Sequence, residues 1–315
     1  MTKTLSLALL VAALSGAAAS AQTVTPLAAL DDFNAVIFTN ATTSSDIEGA
    51  AIIGGNFAGA TVFNNPVTGT PSGFASLTVF GSTSGNPINL NNGGTAYVGG
   101  NEGAKIDFNS GGQYLTTAPA ENISAFKSAF TTFSTSLAAL TPTSATPPTN
   151  NNEVFEAKPA SDGVAVFDLT AAQLDQIPSF QIALNGATSV IINVSGTSIN
   201  FNANDESGVT GADDIIWNFY QATSVTLGTQ IGGSVLAPLA NVTNQNQIDG
   251  ALVANSLTAN GELHDYPYTG ASPLISAAPE PSTWALMLAG VGLAGVMLRR
   301  RRKTPAAGCG ATAVA

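Results

Sequence analysis

The chain has 315 residues, only 9% of them charged, yet twenty Asp and Glu against nine Lys and Arg leave it at a net charge of −11. The few cations are unevenly placed: residues 22–278 hold three lysines (Lys105, Lys127 and Lys158), no arginine and nineteen carboxylates, a net charge of −16. Cationic contacts to phosphate dominate nucleic-acid affinity, so this stretch excludes a nucleic-acid partner, and anionic lipid would repel it.

At the start, MTKTLSLALLVAALSGAAASAQ sets Lys3 before an apolar run from Leu5 to Leu14 and a small-residue exit, Ala19-Ser20-Ala21. That order is the signature of a secretory signal peptide, residues 1–21, cut by a signal peptidase between Ala21 and Gln22. Export would permit disulfides, but the one cysteine is Cys309, near the far end. The exported part, 22–278, is long enough to bury a continuous core without them.

From residue 22 onward, short β-branched runs alternate with Gly/Asn clusters, the pattern of strands and turns. Ser76–Phe80, Val164–Asp168, Ser189–Val194 and Ser224–Leu227 are examples. The block IEGAAII (47–53) returns as IGGSVLA (231–237) and IDGALVA (248–254), the last two 17 residues apart. One coil of a β-solenoid has about this length, and stacked coils bury rows of similar side chains. A glycine in each copy suits a tight corner. The competing reading is chance recurrence in a β-sandwich; the solenoid is preferred.

One segment departs from the β pattern. In residues 119–140 the apolar positions Ile123, Phe126, Phe130, Phe133, Leu137 and Leu140 fall at steps of 3 and 4, one stripe of a helix. Pro119 and Glu121 suit its first turn, and Thr141-Pro142 stops it. Such a helix is expected to pack along the β-domain, followed by a Pro/Thr/Asn loop over 141–152.

Candidate chemistry is sparse. Asn202, Asn204, Asp205 and Glu206 make an oxygen-rich loop of the kind Ca²⁺ favours, although Gly208 falls one place late for an EF-hand. Asp213-Asp214 is an adjacent carboxylate pair, and such pairs can divide acid and base roles. Consecutive strand residues face opposite ways, however, and no arginine is available to meet developing negative charge, so a solvated turn is expected. His264 is the single histidine, in Glu262-Leu263-His264-Asp265. Zinc sites draw on three or four ligands, and no G-x-S-x-G-type nucleophile turn accompanies it. A structural turn is expected there. No catalytic, cofactor or metal site is assigned on these grounds.

The blocks IEGAAIIGGNF, YVGGN (97–101), IINVSG, IIWNFYQATSVTL, IGGSVLAPLANV, IDGALVANSL and GELHDYPYTG, in that order, resemble the choice-of-anchor A family over most of residues 28–270. The resemblance implies an exported, adhesin-like bacterial domain with no assigned chemistry, joined to one of several sorting signals. In architecture alone, a β-half, a helix and a second β-half are similar to bacterial ice-binding β-helices. An ice-adsorbing face would need regular Thr rows, whereas the threonines fall irregularly along this sequence.

The chain ends in PEPSTWALMLAGVGLAGVMLRRRRK (279–303) and a tail, 304–315. Residues 282–298 carry no charge and sit at the short edge of what spans a bilayer; Arg299, Arg300, Arg301, Arg302 and Lys303 would keep the tail cytoplasmic. Pro279-Glu280-Pro281, the apolar run and the basic cluster resemble the PEP-CTERM sorting signal. That resemblance implies an exosortase partner, a Gram-negative-type envelope, an inner-membrane precursor cut near Pro279-Glu280-Pro281 and a mature form at the surface or outside. The expectation is a mainly β, solenoid-like exported domain with one helix alongside, between a signal helix and a transmembrane helix. Its expected role is structural or adhesive and non-enzymatic, with matrix polysaccharide as partner class. The alternatives are a polysaccharide-active β-helix enzyme and an ice-binding module.

Overall fold

A computed structural model describes residues 24–119 and 121–273. The chain divides at Pro273 into two compact units, and the first holds all the described residues. The expected signal cleavage at Ala21 and Gln22, Pro279-Glu280-Pro281, the run 282–298 and Arg299–Lys303 lie outside them. Among the described residues no helix is long and apolar enough to cross a membrane.

The domain is mainly β, and among the described residues every ladder between its strands is parallel. The largest sheet runs, in spatial order, Val164–Thr170, Ser189–Ser195, Ile215–Asn218, Ser234–Asn244, Leu252–Ala259, Ala35–Ile37, Ala51–Ile53, Leu77–Val79 and Ala96–Val98. The chain thus enters its own stack in the middle. After helix α1 (Pro26–Asp32) it builds outward to Ala96–Val98, crosses back through α2 (Ile123–Ala138), and builds inward from Val164 until Leu252–Ala259 closes on Ala35–Ile37. Sixteen helical residues reach about 24 Å, roughly five strand spacings. A short third helix, α3 (Ala171–Leu174), is closed by a capping box from Thr170 and Gln173.

The repeated blocks lie on one another. Ile231 pairs with Ile248 and Val235 with Leu252, and Ile47 joins the first of these ladders through Leu263. Gly233, at φ 117°, turns the corner where a Cβ would stand 2.8 Å from the Ile215 side chain. Inside, Phe155, Phe180, Phe201 and Trp217 meet at centroid distances of 5.1–6.2 Å. Fully buried Trp217 donates its indole N–H to the Gly232 carbonyl at 3.0 Å.

Helix α2 explains why parts of the large sheet are buried on both faces. Its stripe of Phe126, Phe130, Phe133 and Leu137 is buried as the periodicity predicts. Phe126 also closes an edge-to-face aromatic cluster with Phe33 and Phe74. Asn218 donates to the carbonyl of Ser134 at 2.9 Å and accepts from the Ser134 hydroxyl at 2.6 Å. It also donates to Asn193 at 2.8 Å, and Asn193 donates to the Leu137 carbonyl at 3.0 Å. The helix is shorter than the expected 119–140. Asn122 accepts from the amides of Ser124 and Ala125, so Pro119 and Glu121 precede the cap, and Leu140 lies past the last turn.

The loop 141–152 covers the outer edge of Val164–Thr170. Thr143 and Ser144 donate main-chain N–H groups to the Val166 carbonyl, and the Thr143 hydroxyl accepts from Val166 at 2.9 Å. At the opposite end, Ala96 donates to Gln113 and accepts from Leu115. Capping of this kind stops further strands from adding to an open edge.

Candidate functional site

The long strands carry a second set of ladders beyond a bulge between Ala237 and Asn241. Ile199, Val225, Val242, Leu257, Ala41 and Phe57 point inward and are buried. Side chains alternate along a strand, so the next positions face out: Asn200, Thr226, Thr243, Thr258, Thr42 and Ala58, one per rung. Four consecutive rungs are threonine. Thr42 and Thr258 are exposed and Thr226 and Thr243 half-exposed, and among the described residues their hydroxyls have no protein hydrogen-bond partner.

Beside that row runs another, Ser198, Ser224, Asn241 and Ser256. It is continued by Asn40, Asn56 and Ser82, whose side chains accept the main-chain N–H of Asn56, Ser82 and Asn101 at 2.8–2.9 Å. None of these positions is charged, on a domain whose net charge is −16. The expectation of irregular threonines is therefore overturned for this face. Positions 42, 226, 243 and 258 look scattered in sequence because Thr42 reaches Thr258 only where the two halves of the stack meet.

Three of the titratable groups named from the sequence, Asp213, His264 and Asp265, meet elsewhere, at a cleft of about 630 Å³ that Asp31, Glu48 and Tyr266 also line. His264 Nδ1 lies 2.6 Å from Asp249 Oδ1 and Nε2 lies 2.9 Å from Glu262 Oε2. Burial lowers the imidazole's pKa, but the hydrogen bonds and charges of Glu262, Asp249 and Glu48 outweigh it and hold it above the usual 6.5. Asp265 does not flank the ring as its sequence neighbourhood suggests. It turns away to accept the Val67 N–H at 2.8 Å, and burial pushes its carboxyl up despite that bond.

Asp213 and Asp214 lie in a 3₁₀ turn, Ala212–Asp214, and the Asp213 carbonyl receives the Thr269 N–H. Burial and the neighbouring Asp213 raise the Asp214 carboxyl. The loop read as a calcium candidate does not converge on one point. Asp205 is buried, accepting from the amides of Ser207 and Gly232 at 3.0 Å each, while Glu206 reaches Gln181. Among the described residues no group of three or more His, Cys, Asp or Glu is placed to hold a metal ion.

Two important residues went unnoticed in sequence. Asp249 stands in the IDG copy of the repeat, directly beside His264 in the ladder. The ladder sets GELH (261–264) on NQID (246–249) at an offset of 15 residues, shorter than the 17 between the IGGSVLA and IDGALVA copies, so the repeat read from the sequence would have placed His264 on Gln247 instead. Asn34, which joins the two halves of the stack, carries no sequence signal.

A sequence-family profile described as "Putative Ice-binding-like adhesive domain" matches residues 26–265, and one described as a PEP-CTERM protein-sorting motif matches residues 277–302. The second implies processing by an exosortase and export in a Gram-negative-type envelope. Among solved structures, an ice-binding protein of the Antarctic ascomycete Antarctomyces psychrotrophicus is 18% identical, covering 80% of this chain and 98% of its own, with a TM-score of 0.28. An ice-binding protein from an Antarctic biological consortium is 16% identical, covering 77% of this chain and 91% of its own, with a TM-score of 0.27. Among curated proteins, nothing matches the chain.

Proposed function

The chain belongs to the ice-binding-like adhesive domain family, and from that premise we propose that residues 22–278 form an exported, non-enzymatic β-solenoid with a structural or adhesive role at the cell surface or in the extracellular matrix. The parallel ladders and in-register repeats support the solenoid reading, and the ordered sequence blocks support a place near the choice-of-anchor A family. The observation that carries the functional reading is the uncharged face of aligned Thr, Ser and Asn. An aligned array of hydroxyls and amides can hydrogen-bond a neutral partner at many points without desolvating a charge. Matrix polysaccharide has that chemistry.

In this reading signal peptidase cuts between Ala21 and Gln22. The run 282–298 and Arg299–Lys303 hold the precursor in the inner membrane until an exosortase cuts near Pro279-Glu280-Pro281, and the tail 304–315 stays cytoplasmic. Localising a tagged protein in wild-type and exosortase-deficient cells tests it. Surface or released protein in the first and membrane-retained precursor in the second are expected; a purely cytoplasmic signal in wild type would end the reading.

Adsorption to ice is the second reading, and the four-rung threonine row favours it. Purified exported protein should then change the shape of growing ice crystals. Unaltered crystals would remove ice as the partner and leave the adhesive role standing.

A further inference from the structure

The seven-stranded sheet ends in Ile106–Phe108, which pairs on one side with Ile88–Leu90; among the described residues no strand lies beyond it. Ile88 donates to the Lys105 carbonyl at 2.9 Å, and the Leu90 carbonyl accepts from Asn109 at 2.8 Å. Main-chain groups alternate along a strand, so the N–H and C=O of Ile106 and of Phe108 face away from that ladder. The cap at this end of the stack covers Ala96, in the large sheet. Here the Tyr114 hydroxyl, which donates to Glu102 at 2.9 Å, comes near the Ile106 N–H. Tyr114 is 36% exposed, and its ring stands edge-on to Phe108 at 4.8 Å. Apolar surface thus lies beside an open strand edge, the template on which another strand adds.

The side chains on either side of Ile106 carry opposite charges. Lys105 and Asp107, 75% and 37% exposed, pair with each other on the outer face. Lys105 is one of three lysines in an exported part whose net charge is −16. Two such domains repel each other over most of their surface, and on this strand the charges cancel.

We propose that this edge is a self-association site: a second copy of the chain adds its own Ile106–Phe108 strand antiparallel to the first, about a two-fold axis through Ile106. In that register the two Ile106 residues exchange N–H and C=O groups, the incoming carbonyl taking the place of the Tyr114 hydroxyl. Each Lys105 then stands opposite Asp107 of the other copy. An axis through Asp107 would set the two Asp107 carboxylates against each other. One through Phe108 would set Lys105 against Gly111 and Asp107 against Asn109. Charge therefore selects the first register.

Like end meets like end. At the other end of the stack, Thr143, Ser144 and Thr146 of the loop 141–152 already bond Val166 and Asp168 on the outer edge of the large sheet. A second copy cannot continue the stack there, so the result is a closed pair and not a filament. The pair offers two uncharged faces to a repeating partner, which raises avidity without a new contact.

Sedimentation of the exported protein, residues 22–278, should show dimers that dissociate on dilution. Lys105→Asp and Asp107→Lys should each raise the dissociation constant about tenfold or more, because each sets like charges face to face twice. Asp107→Lys also lowers the net negative charge, so relief of general repulsion alone would tighten the dimer instead. The double reversal should restore the original affinity to within about threefold. The exported part has no cysteine, which allows a test of register. Mixed Lys105→Cys and Asp107→Cys chains should form a disulfide-linked pair, since opposed residues in this register lie about 4.5 Å apart. Neither variant alone should cross-link, because its two copies lie on the diagonal, about 7–8 Å apart. A monomer at every concentration up to about 1 mM would overturn the proposal. So would a dimer whose affinity and cross-linking ignore Lys105 and Asp107.

Discussion

The side-chain amide of Asn34 donates to the main-chain carbonyl of His264 at 2.9 Å, across 230 positions of sequence. The same nitrogen reaches the Gly250 carbonyl at 3.0 Å, and the side-chain oxygen accepts from Gly49 at 3.2 Å. Its own carbonyl accepts from Leu252. One side chain, 2% exposed, thus joins the first strands of the N-terminal half to the last strands of the C-terminal half. Gly49 allows the approach, since a Cβ there would lie 2.7 Å from that of Asn34.

Asn34→Ala should therefore destabilise the domain more than an ordinary surface change. It leaves the Gly49 N–H and the Gly250 carbonyl in a buried site without their partner, at about 1–3 kcal/mol for each group that water cannot reach, while the His264 carbonyl keeps the Tyr266 N–H. A loss of about 3 kcal/mol in denaturant-induced unfolding is expected. A loss below about 0.5 kcal/mol, the scale of neutral surface substitutions, would mean that the seam is held by its strand ladders alone.

The register of α2 on the sheet rests on a polar pair within an apolar contact. Asn218 replaced by Ala strips partners from the Ser134 hydroxyl and carbonyl and from Asn193. Ser134→Ala removes one hydroxyl and leaves the carbonyl bond intact. Asn218→Ala should cost about 2–3 kcal/mol and Ser134→Ala about 1 kcal/mol, measured by unfolding midpoints. Equal effects would show that the hydroxyl alone anchors the helix.

What could be read in the sequence was local. The Phe stripe of α2, the strands and the 17-residue repeat all depend on neighbours close in the chain, and the structure places each accordingly. Asn34 was invisible because its partners lie more than two hundred residues away, and a lone Asn before a β-branched run looks like a turn. The threonine row was hidden for the same reason: Thr42 joins it across the seam. The acidic loop at 202–206 misled differently. It has the composition of a cation site, but Asp205 uses both carboxylate oxygens to bind main-chain N–H groups at a corner.

Stability should fall in two stages as pH rises. Burial raises the carboxyls of Asp205 and Asp265 above 3.8, so the folded domain holds these protons more firmly than the unfolded chain. Their contribution is complete below 3.8 and disappears as pH climbs through the raised folded values. His264 adds a later stage above 6.5. Thermal midpoints from pH 4 to pH 9 should decline in both ranges, and His264→Gln should remove only the upper one. A midpoint that rises steadily with pH would contradict both signs.

The uncharged face offers the sharpest separation of function from fold. Thr42 and Thr258 are exposed neighbours on adjacent rungs, with buried Ala41 and Leu257 beneath them in the ladder. Changing both to Lys leaves the inward row and the main-chain ladder intact, so the thermal midpoint should shift by no more than about 0.5 kcal/mol equivalent per site. It also puts two like charges roughly 5 Å apart on a row that otherwise has none, which a neutral partner could not match without desolvating them. Retention on the cell surface or matrix should fall at least tenfold, and any shaping of ice crystals should vanish with it. A double variant that folds and still adheres would move the binding surface elsewhere on the domain. Loss of ice shaping with adhesion intact would divide the two activities between different faces.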